Sequence, residues 1–291
     1  MREKSRQFAL LEGIAAGTLF GTAAVFIRLT DVNVFSIALW RLIIASAILA
    51  IIIFLFKRNL YVNLQKSSFR HFLVMGILLG AHFILFASAV KDTTILNATV
   101  LVNTTPIFSM IISTFLYRAK PSKLAVCGIA VSFLGAGLIA YGDAGEGKTT
   151  NLIGDLEATF AAVAEGFYLN YGRKRRSQLS PLPTMLLTYL AAALTVGTTA
   201  VFARATFEAA GSLETLLPLI GLGVLPTAAA HTLYFSSLSN LKSFETATMA
   251  LLEPIGATLL GIAVFAELPA PFFILGGVLV LTGIFSIAAG R

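Results

Sequence analysis

The sequence predicts an all-α polytopic membrane protein, with ten transmembrane helices arranged as two inverted five-helix repeats and both termini in the cytoplasm. Three observations predict this fold. Of the 291 residues, 57% are hydrophobic and 12% are charged, whereas a soluble domain carries about 25% charged residues. The mean hydropathy is +0.87, and the apolar residues form long continuous runs. The two halves of the chain also resemble each other in sequence.

Ten apolar runs are long enough for membrane helices, each of which needs about 20 mostly apolar residues. Turn-forming residues separate them: Pro121 lies at the start of the fifth run, Pro181 before the seventh and Pro269 at the start of the tenth. Strands of a membrane barrel would instead alternate in polarity over about ten residues. The predicted spans are 8–29, 34–56, 71–90, 95–117, 122–141, 152–172, 184–203, 214–237, 244–265 and 270–289.

The distribution of positive charge predicts the orientation. With the N-terminus in the cytoplasm, sixteen Lys and Arg residues fall in cytoplasmic segments and four in outer segments. The run RKRR at 173–176 is the densest of these positive clusters. Cytoplasmic loops carry an excess of Lys and Arg, so we expect both termini inside the cell and the protein in the cell (inner) membrane.

An internal repeat divides the chain into residues 8–141 and 152–289. Residues 81–91 (AHFILFASAVK) match 230–240 (AHTLYFSSLSN) at an offset of 149, and the first spans match at 145. Five spans per repeat is an odd number, so the second repeat enters the membrane inverted, as in many secondary transporters. Further matched pairs are Pro106 with Pro254, Pro121 with Pro269, Gly128 with Gly276, Gly135 with Gly283 and Arg28 with Arg173.

Stripes of small residues run along the first and sixth spans. They consist of Gly13, Gly17 and Gly21 on the first, and Gly154, Ala158, Ala162 and Gly166 on the sixth. Such stripes let helix backbones approach closely in lipid. We expect static packing there, and as a functional alternative a contact that slides between the first and sixth spans.

Four segments resemble the EamA family of the drug/metabolite transporter superfamily. They are GIAAGTLFGTAAVFIR in the first span, LWRLIIASAIL in the second, GDLEATFAAVAEGFYLNYGRK in the sixth and LLEPIGATLLGIAVFAELP in the ninth. Glu253-Pro254 followed by Glu267 is the most recognisable piece, and the first repeat departs from it, since Pro106 follows Thr105 rather than a glutamate. The resemblance implies an exporter of amino acids, related metabolites or drugs, and, more narrowly, a YddG-type exporter of aromatic and neutral amino acids.

Among the charged residues of the predicted spans, the leading candidates are Glu165 and Glu253, which lie mid-span, and Arg41, in the outer third of the second span. Charge in the bilayer costs about 2.5–3.5 kcal/mol on insertion scales, so such residues usually face a cavity or a partner. We expect Arg41, Glu165 and Glu253 to bind substrate, and a buried glutamate to be a candidate proton site. The alternative is a fixed structural ion pair between Arg41 and a glutamate.

Two histidines and an asparagine are further candidates for the substrate site. His82 and His231 occupy equivalent positions in the two repeats, and Asn103 precedes Pro106, which frees a backbone carbonyl in the preceding turn. The histidines could instead hold helices together by hydrogen bonds. Three histidines and one cysteine without ligand spacing predict no metal site.

Aromatic residues near these positions are expected to form an amphipathic wall for aromatic or apolar substrate side chains, although core packing or contact with lipid remains the alternative for each. The residues assigned to this wall are Phe20, Trp40, Phe86, Tyr168, Tyr171 and Tyr234. Residues 142–149 (GDAGEGKT) match a phosphate-binding loop. Because that loop requires a preceding strand in an α/β domain, we reject a nucleotide site.

The function predicted from these observations is secondary transport of a small metabolite, most of all an amino acid, by alternating access through a central cavity. No cofactor and no nucleic-acid partner are expected, and protons are left open as a coupling partner. The alternatives are a carrier of drugs or nucleotide-related metabolites, a channel, and a membrane-embedded enzyme. The sequence carries no nucleophile elbow and no paired intramembrane aspartates to support the enzyme.

Overall fold

A computed structural model describes residues 5–56, 69–142, 151–174, 176, 179–265 and 272–289, and all regular structure among these residues is helical. Glu267 and most of the loop 142–149 lie outside the described residues. The helices are α1 (Arg6–Phe20), α2 (Ala23–Arg28), α3 (Val34–Phe56), α4 (Phe69–Asp92), α5 (Ile95–Val102), α6 (Thr105–Phe115), α7 (Lys123–Gly142), α8 (Leu152–Arg173), α9 (Pro181–Phe202), α10 (Leu213–Leu222), α11 (Thr232–Ser237), α12 (Ser243–Met249), α13 (Glu253–Phe265) and α14 (Phe273–Ala289).

Six helical segments in the described part of the chain are long and apolar enough to cross a membrane. Large apolar side chains on their outer faces are exposed, among them Phe56, Phe115 and Phe202. A soluble protein would not leave so many such side chains in water. The prediction of an all-helical membrane protein is confirmed. The number of ten spans and the cytoplasmic termini stay predictions. The six segments are Arg6–Arg28, Val34–Phe56, Phe69–Asp92, Asn97–Phe115, Pro181–Phe202 and Leu213–Ser237.

Several predicted spans are interrupted helices. Asn103 ends α5 and Pro106 lies in the first turn of α6, while a 3-10 turn at Ala250–Leu252 joins α12 to α13, which opens with Glu253-Pro254. Proline lacks a backbone N–H and is therefore tolerated in the first turn of a helix. The equivalent prolines of the two repeats thus place equivalent breaks in the fourth and ninth predicted spans.

A π-helix, Gly223–His231, lies between α10 and α11 and contains Pro226. Its Thr227 hydroxyl donates to the carbonyl of Leu222, five residues back, at 2.6 Å. A π-helical turn often marks a functional position because it displaces side chains from the regular helical register. The sequence pattern carries no signal of this turn beyond the proline.

Helix packing pairs each repeat with the other. Helix α3 packs on α9, α7 on α14, and α4 on both α8 and α9. In the α7–α14 contact, Gly128 faces Gly283 and Gly135 faces Gly276, so close that a Cβ on Gly283 would lie 2.4 Å from the carbonyl oxygen of Gly128. Backbone-to-backbone contact of this kind needs small residues.

The small-residue stripes of the first and sixth spans do not pack against each other, as a sliding contact between these spans would require. A Cβ on Gly17 would lie 1.8 Å from the carbonyl oxygen of Met249, so the stripe of α1 packs on α12 and α13. Gly154 lies against Thr93 and Gly166 against Ser109, so the stripe of α8 packs on the end of α4 and on α6. The expectation of a sliding contact between the first and sixth spans is wrong, because a small-residue stripe predicts close approach without specifying the partner.

Candidate functional site

A small cavity lies in the middle of the molecule, where both halves of the chain contribute side chains. Its volume is about 30 Å³, which is room for a water molecule or two but not for an amino acid. Its polar lining is a cation, two carboxylic acids, two imidazoles and an amide, and these side chains are buried. The lining residues are Phe20, Ala23, Arg41, His82, Phe86, Val102, Asn103, Glu165, His231, Ala250 and Glu253.

Arg41 extends from α3 and is 1% exposed. Its Nε donates to the hydroxyl of Thr227 at 2.9 Å, and its guanidinium carbon lies 3.7 Å from the centre of the Phe83 ring. Within the described part of the chain no carboxylate oxygen lies within 4.0 Å of the guanidinium, and Nη1 is buried without a hydrogen-bond partner. The alternative of a fixed ion pair with a glutamate is therefore not what the structure contains.

His82 and Glu165 meet across the α4–α8 contact. Nδ1 of His82 lies 3.1 Å from the carbonyl oxygen of Ala161 and 3.9 Å from a Glu165 carboxyl oxygen. Because a carbonyl only accepts, Nδ1 carries the hydrogen. The hydroxyl of Thr105 donates to the same Glu165 oxygen at 3.2 Å. The carboxyl is thus held by a neutral donor and an imidazole rather than by a permanent cation.

Glu253 and Asn103 face each other at the two helix breaks. The Asn103 amide donates to the Glu253 carboxyl at 3.1 Å, and both side chains are buried. The breaks at Pro106 and Pro254 bring these side chains together, since Asn103 lies three residues before Pro106 and Glu253 lies directly before Pro254. An amide can stabilise a carboxylate without neutralising it. Glu253, when ionised, therefore brings an uncompensated negative charge into the cavity.

Aromatic rings pack around the histidines. Phe20 contacts His231 edge-on at 4.8 Å between ring centres and Tyr234 at 5.1 Å, while Phe86 stacks on His82 at 6.1 Å. Nδ1 of His231 has no hydrogen-bond partner among the described residues. Aromatic rings therefore line the cavity beside its polar groups.

Of the twelve residues predicted for the site and its aromatic wall, eight line this cavity, and Trp40, Tyr168, Tyr171 and Tyr234 do not. The Trp40 indole donates to the carbonyl of Glu208 at 3.1 Å, in a separate apolar recess toward the segment before α10. Tyr168 is fully buried with its hydroxyl 3.3 Å from the Met185 sulfur. Tyr234 packs behind Phe20, and its buried hydroxyl has no partner within the described residues.

Sequence reasoning missed Thr227 and Phe83, the two residues that hold Arg41. A threonine next to a proline in an apolar span is common, because its hydroxyl can bond to its own helix. Phe83 is one of 23 phenylalanines, and nothing in its neighbours distinguishes it. The repeat adds no signal either, because the matched pairs do not include them.

The end of the bundle at which Arg6 lies, here called the Arg6 face, carries a set of polar contacts. The Ser236 hydroxyl donates to Glu12 at 2.8 Å and accepts from Arg176 at 3.2 Å. Arg173 donates to the carbonyl of Leu241 at 2.7 Å, and Arg6 pairs with Glu245 at 3.2 Å. Burial lowers the pKa of the Arg176 guanidinium to about 10, and the Glu12 carboxylate offsets part of this shift.

The opposite end, here called the Arg28 face, carries a related set of polar contacts. The Ser88 hydroxyl donates to Glu157 at 2.7 Å, and Arg28 donates to the carbonyl of Thr93 at 3.1 Å. Asp155 accepts from the Thr93 hydroxyl at 2.9 Å. Polar contacts between side chains thus lie at both ends of the bundle, on either side of the cavity.

Chemically, the site can bind a small molecule that carries groups of both signs. Buried charges need partners of opposite charge or hydrogen bonds, and the cavity offers a cation and two carboxyl groups. No group of three or more potential metal ligands is present in the part of the chain that the structure describes.

Comparison with known proteins identifies a family whose model matches this chain. The family model for the EamA-like transporter family matches this chain twice, at residues 7–141 and 152–289. The two matched stretches cover most of the chain, and each corresponds to one half of the fold.

Relatives and a solved structure agree with that match. An uncharacterized transporter of Archaeoglobus fulgidus is 27% identical over 274 residues, which is 89% of each chain. The uncharacterized transporter YdfC of Bacillus subtilis is 27% identical over 292 residues, 98% of this chain and 92% of that one. A crystal structure of 19% sequence identity matches with a TM-score of 0.81 over 97% of this chain and 96% of its own. At that identity the likeness concerns the fold alone.

Proposed function

Because the chain belongs to the EamA-like transporter family, we propose that it is a secondary transporter that exports amino acids, most of all neutral and aromatic ones, across the inner membrane. The observation that carries this proposal is the central cavity lined by Arg41, Glu165 and Glu253. A buried site with both signs of charge fits a zwitterion, because each charged end of the ligand meets an opposite charge. Phe20 and Phe86 offer an apolar surface to its side chain.

Alternating access follows from the symmetry of the sequence. We propose that residues 8–141 and 152–289 are inverted repeats, so that inward-open and outward-open forms are related by exchanging the repeats. The cavity residues support this, since His82 is equivalent to His231 at offset 149 and Thr105 to Glu253 at offset 148. The packing of α1 on α13 likewise corresponds to that of α8 on α6.

A proton is the candidate coupling ion. Glu165 and Glu253 are buried carboxyl groups without a lysine or arginine partner within 4.0 Å among the described residues. A carboxyl group in such a place can exchange a proton as the cavity opens to one side and then the other. The gradient of the substrate itself and exchange are the alternative driving forces.

Counterflow in proteoliposomes tests the proposal. Vesicles loaded with unlabelled phenylalanine should accumulate labelled phenylalanine transiently, and this uptake should saturate. The double variant Glu165→Gln with Glu253→Gln should lose it, whereas Glu214→Gln, which changes an exposed carboxylate in the first turn of α10, should retain it. A flux that rises linearly with substrate and shows no counterflow would indicate a channel and overturn the proposal.

Counterflow that appears only with drugs or nucleosides would keep the carrier and overturn the amino-acid substrate. That outcome would be distinguished by running the same vesicles with a panel of labelled compounds, of which neutral and aromatic amino acids should give the largest signal.

A further inference from the structure

The guanidinium of Arg41 is held on two sides. Thr227 accepts from its Nε at 2.9 Å, and the Phe83 ring supports its flat face at 3.7 Å. Thr227 is itself fixed, because its hydroxyl donates to the carbonyl of Leu222 and its own carbonyl accepts from Tyr189 at 2.6 Å. The π-helix therefore presents one acceptor to Nε, and the remaining edge of the guanidinium is free for another partner.

That free edge lacks what a buried cation normally has. A buried guanidinium is ordinarily paired with a carboxylate or fully hydrogen-bonded, yet Nη1 has no partner among the described residues. Arg41 lines the cavity, and the two carboxyl groups that also line it are bound to Thr105, His82 and Asn103 instead. Nη1 is thus a buried donor, beside the cavity, to which a ligand could bind.

We propose that Arg41 binds the carboxylate of the substrate and that Thr227 and Phe83 are the positioning residues that orient it; this rests on the proposed carrier function for its physiological meaning. An arginine binds a carboxylate through charge-assisted hydrogen bonds of fixed geometry. Ligands therefore need a carboxylate, and a ligand with only the ammonium group and the side chain is rejected.

Binding to the purified protein in detergent tests this without transport. The probes are phenylalanine, 3-phenylpropionate, which lacks the ammonium group, and phenethylamine, which lacks the carboxylate. Phenylalanine and 3-phenylpropionate should raise the melting temperature, and phenethylamine should not. Stabilisation by phenethylamine equal to that by phenylalanine, or by none of the three, would overturn the proposal. Counterflow, measured separately, decides the carrier function.

Variants separate positioning from folding. Thr227→Val removes the acceptor at nearly constant volume and should weaken phenylalanine binding about 10- to 100-fold, the range expected for a hydrogen bond to a charged group. Thr227→Ser keeps the hydroxyl and should bind like the parent protein. Arg41→Gln should bind phenylalanine no better than phenethylamine. A Thr227→Val protein with parental affinity would show that Thr227 has no positioning role.

A second inference rests on the polar contacts at the two ends of the bundle. At the Arg6 face, Ser236 of α11 donates to Glu12 of α1, and at the Arg28 face, Ser88 of α4 donates to Glu157 of α8. Glu12 and Glu157 are equivalent at offset 145, and Ser236 is adjacent to Ser237, the equivalent of Ser88. Each contact thus joins the first span of one repeat to the third span of the other.

Matching arginine contacts lie beside these bonds. Arg28 donates to the carbonyl of Thr93, and Arg173 to that of Leu241. Arg28 and Arg173 are equivalent at offset 145, and each acceptor is the residue before a helix N-cap, Thr94 or Lys242. The same pair of contacts therefore occurs once at each end of the molecule.

We propose that Glu12–Ser236 and Glu157–Ser88 are the two latches of the cycle, so that one opens while the other holds. Each latch joins the two repeats, as do the Arg6–Glu245 pair beside the first and the Thr93–Asp155 bond beside the second, whereas the Arg28 and Arg173 contacts lie within a repeat. Loss of one latch should favour opening at its own face, because the opposite latch remains intact.

Labelling of a cavity cysteine tests the latches. Ala23→Cys in a Cys127→Ser background would be exposed to a membrane-impermeant maleimide in right-side-out and in inverted vesicles. Ser236→Ala should speed labelling several-fold from the Arg6 face alone, and Ser88→Ala from the Arg28 face alone. Ser286→Ala, which removes a hydroxyl outside both latches, is the matched control.

The conservative variants Ser236→Thr and Ser88→Thr keep the hydroxyl, so they should label like the parent protein. Equal acceleration from both faces in either alanine variant, acceleration from the wrong face, or no change in both would overturn the latches.

Discussion

Substitution of Gly17 by alanine should destabilise the protein, although alanine favours a helix by about 1 kcal/mol over glycine. The new Cβ would lie 1.8 Å from the carbonyl oxygen of Met249, whereas ordinary contact begins at 3.4 Å. The neighbour is backbone, so α1 must withdraw by about 1.6 Å, the difference between these distances. Overpacking of this kind costs about 3 kcal/mol, which leaves a net loss of about 2 kcal/mol.

The assay is unfolding of the purified protein by a denaturing detergent, followed by circular dichroism. Gly197→Ala in α9 is the matched control, because its Cβ would meet no atom within 4 Å. The control should be as stable as the parent or up to about 1 kcal/mol more stable. A Gly17→Ala protein as stable as this control would refute the packing of α1 on α12 and α13.

Three further predictions concern the cavity and the latches. The single variants Glu165→Gln and Glu253→Gln identify the proton site, because uptake should no longer depend on pH in the variant that lacks the proton-binding carboxyl group. If uptake by both variants still depends on pH, neither residue is the proton site. Phe20→Ala removes a ring in contact with His231 and Tyr234, so competition assays should show less preference for aromatic over small amino acids; an unchanged preference would contradict its role. The Asp92 carboxylate lies 3.4 Å from the Ser88 hydroxyl and repels the carboxylate of Glu157. Asp92→Asn removes this repulsion and should strengthen the Ser88–Glu157 bond, so maleimide labelling from the Arg28 face should slow. Faster labelling would contradict the repulsion.

The helical membrane fold follows from the sequence because apolar runs and prolines act locally. The breaks at Pro106 and Pro254 could be read directly, whereas the π-helix at Gly223–His231 could not, since Pro226 alone does not distinguish a π-helical turn from an ordinary break. The partners of the glycine stripes also escaped prediction. Any two helices with small residues can approach closely, and only the whole packing decides that α1 meets α13.

The site was predictable where polarity stands out against lipid. Arg41, Glu165 and Glu253 are costly within a membrane, and the repeat pointed to His82 and His231; the structure brings all five around one cavity. Aromatic residues give no such signal, because lipid, core and cavity all accept them. Trp40 therefore lies elsewhere, while Phe83, which supports Arg41, was not singled out. The roles of the cavity residues in substrate binding stay predictions.

A disulfide across one latch tests alternating access most directly. The variant with Glu12→Cys and Ser236→Cys, in a Cys127→Ser background, would be oxidised in proteoliposomes and assayed for phenylalanine counterflow before and after reduction. We predict that oxidation abolishes counterflow and that reduction restores it, because the Arg6 face must open in every cycle. Undiminished flux through the cross-linked protein would contradict the account.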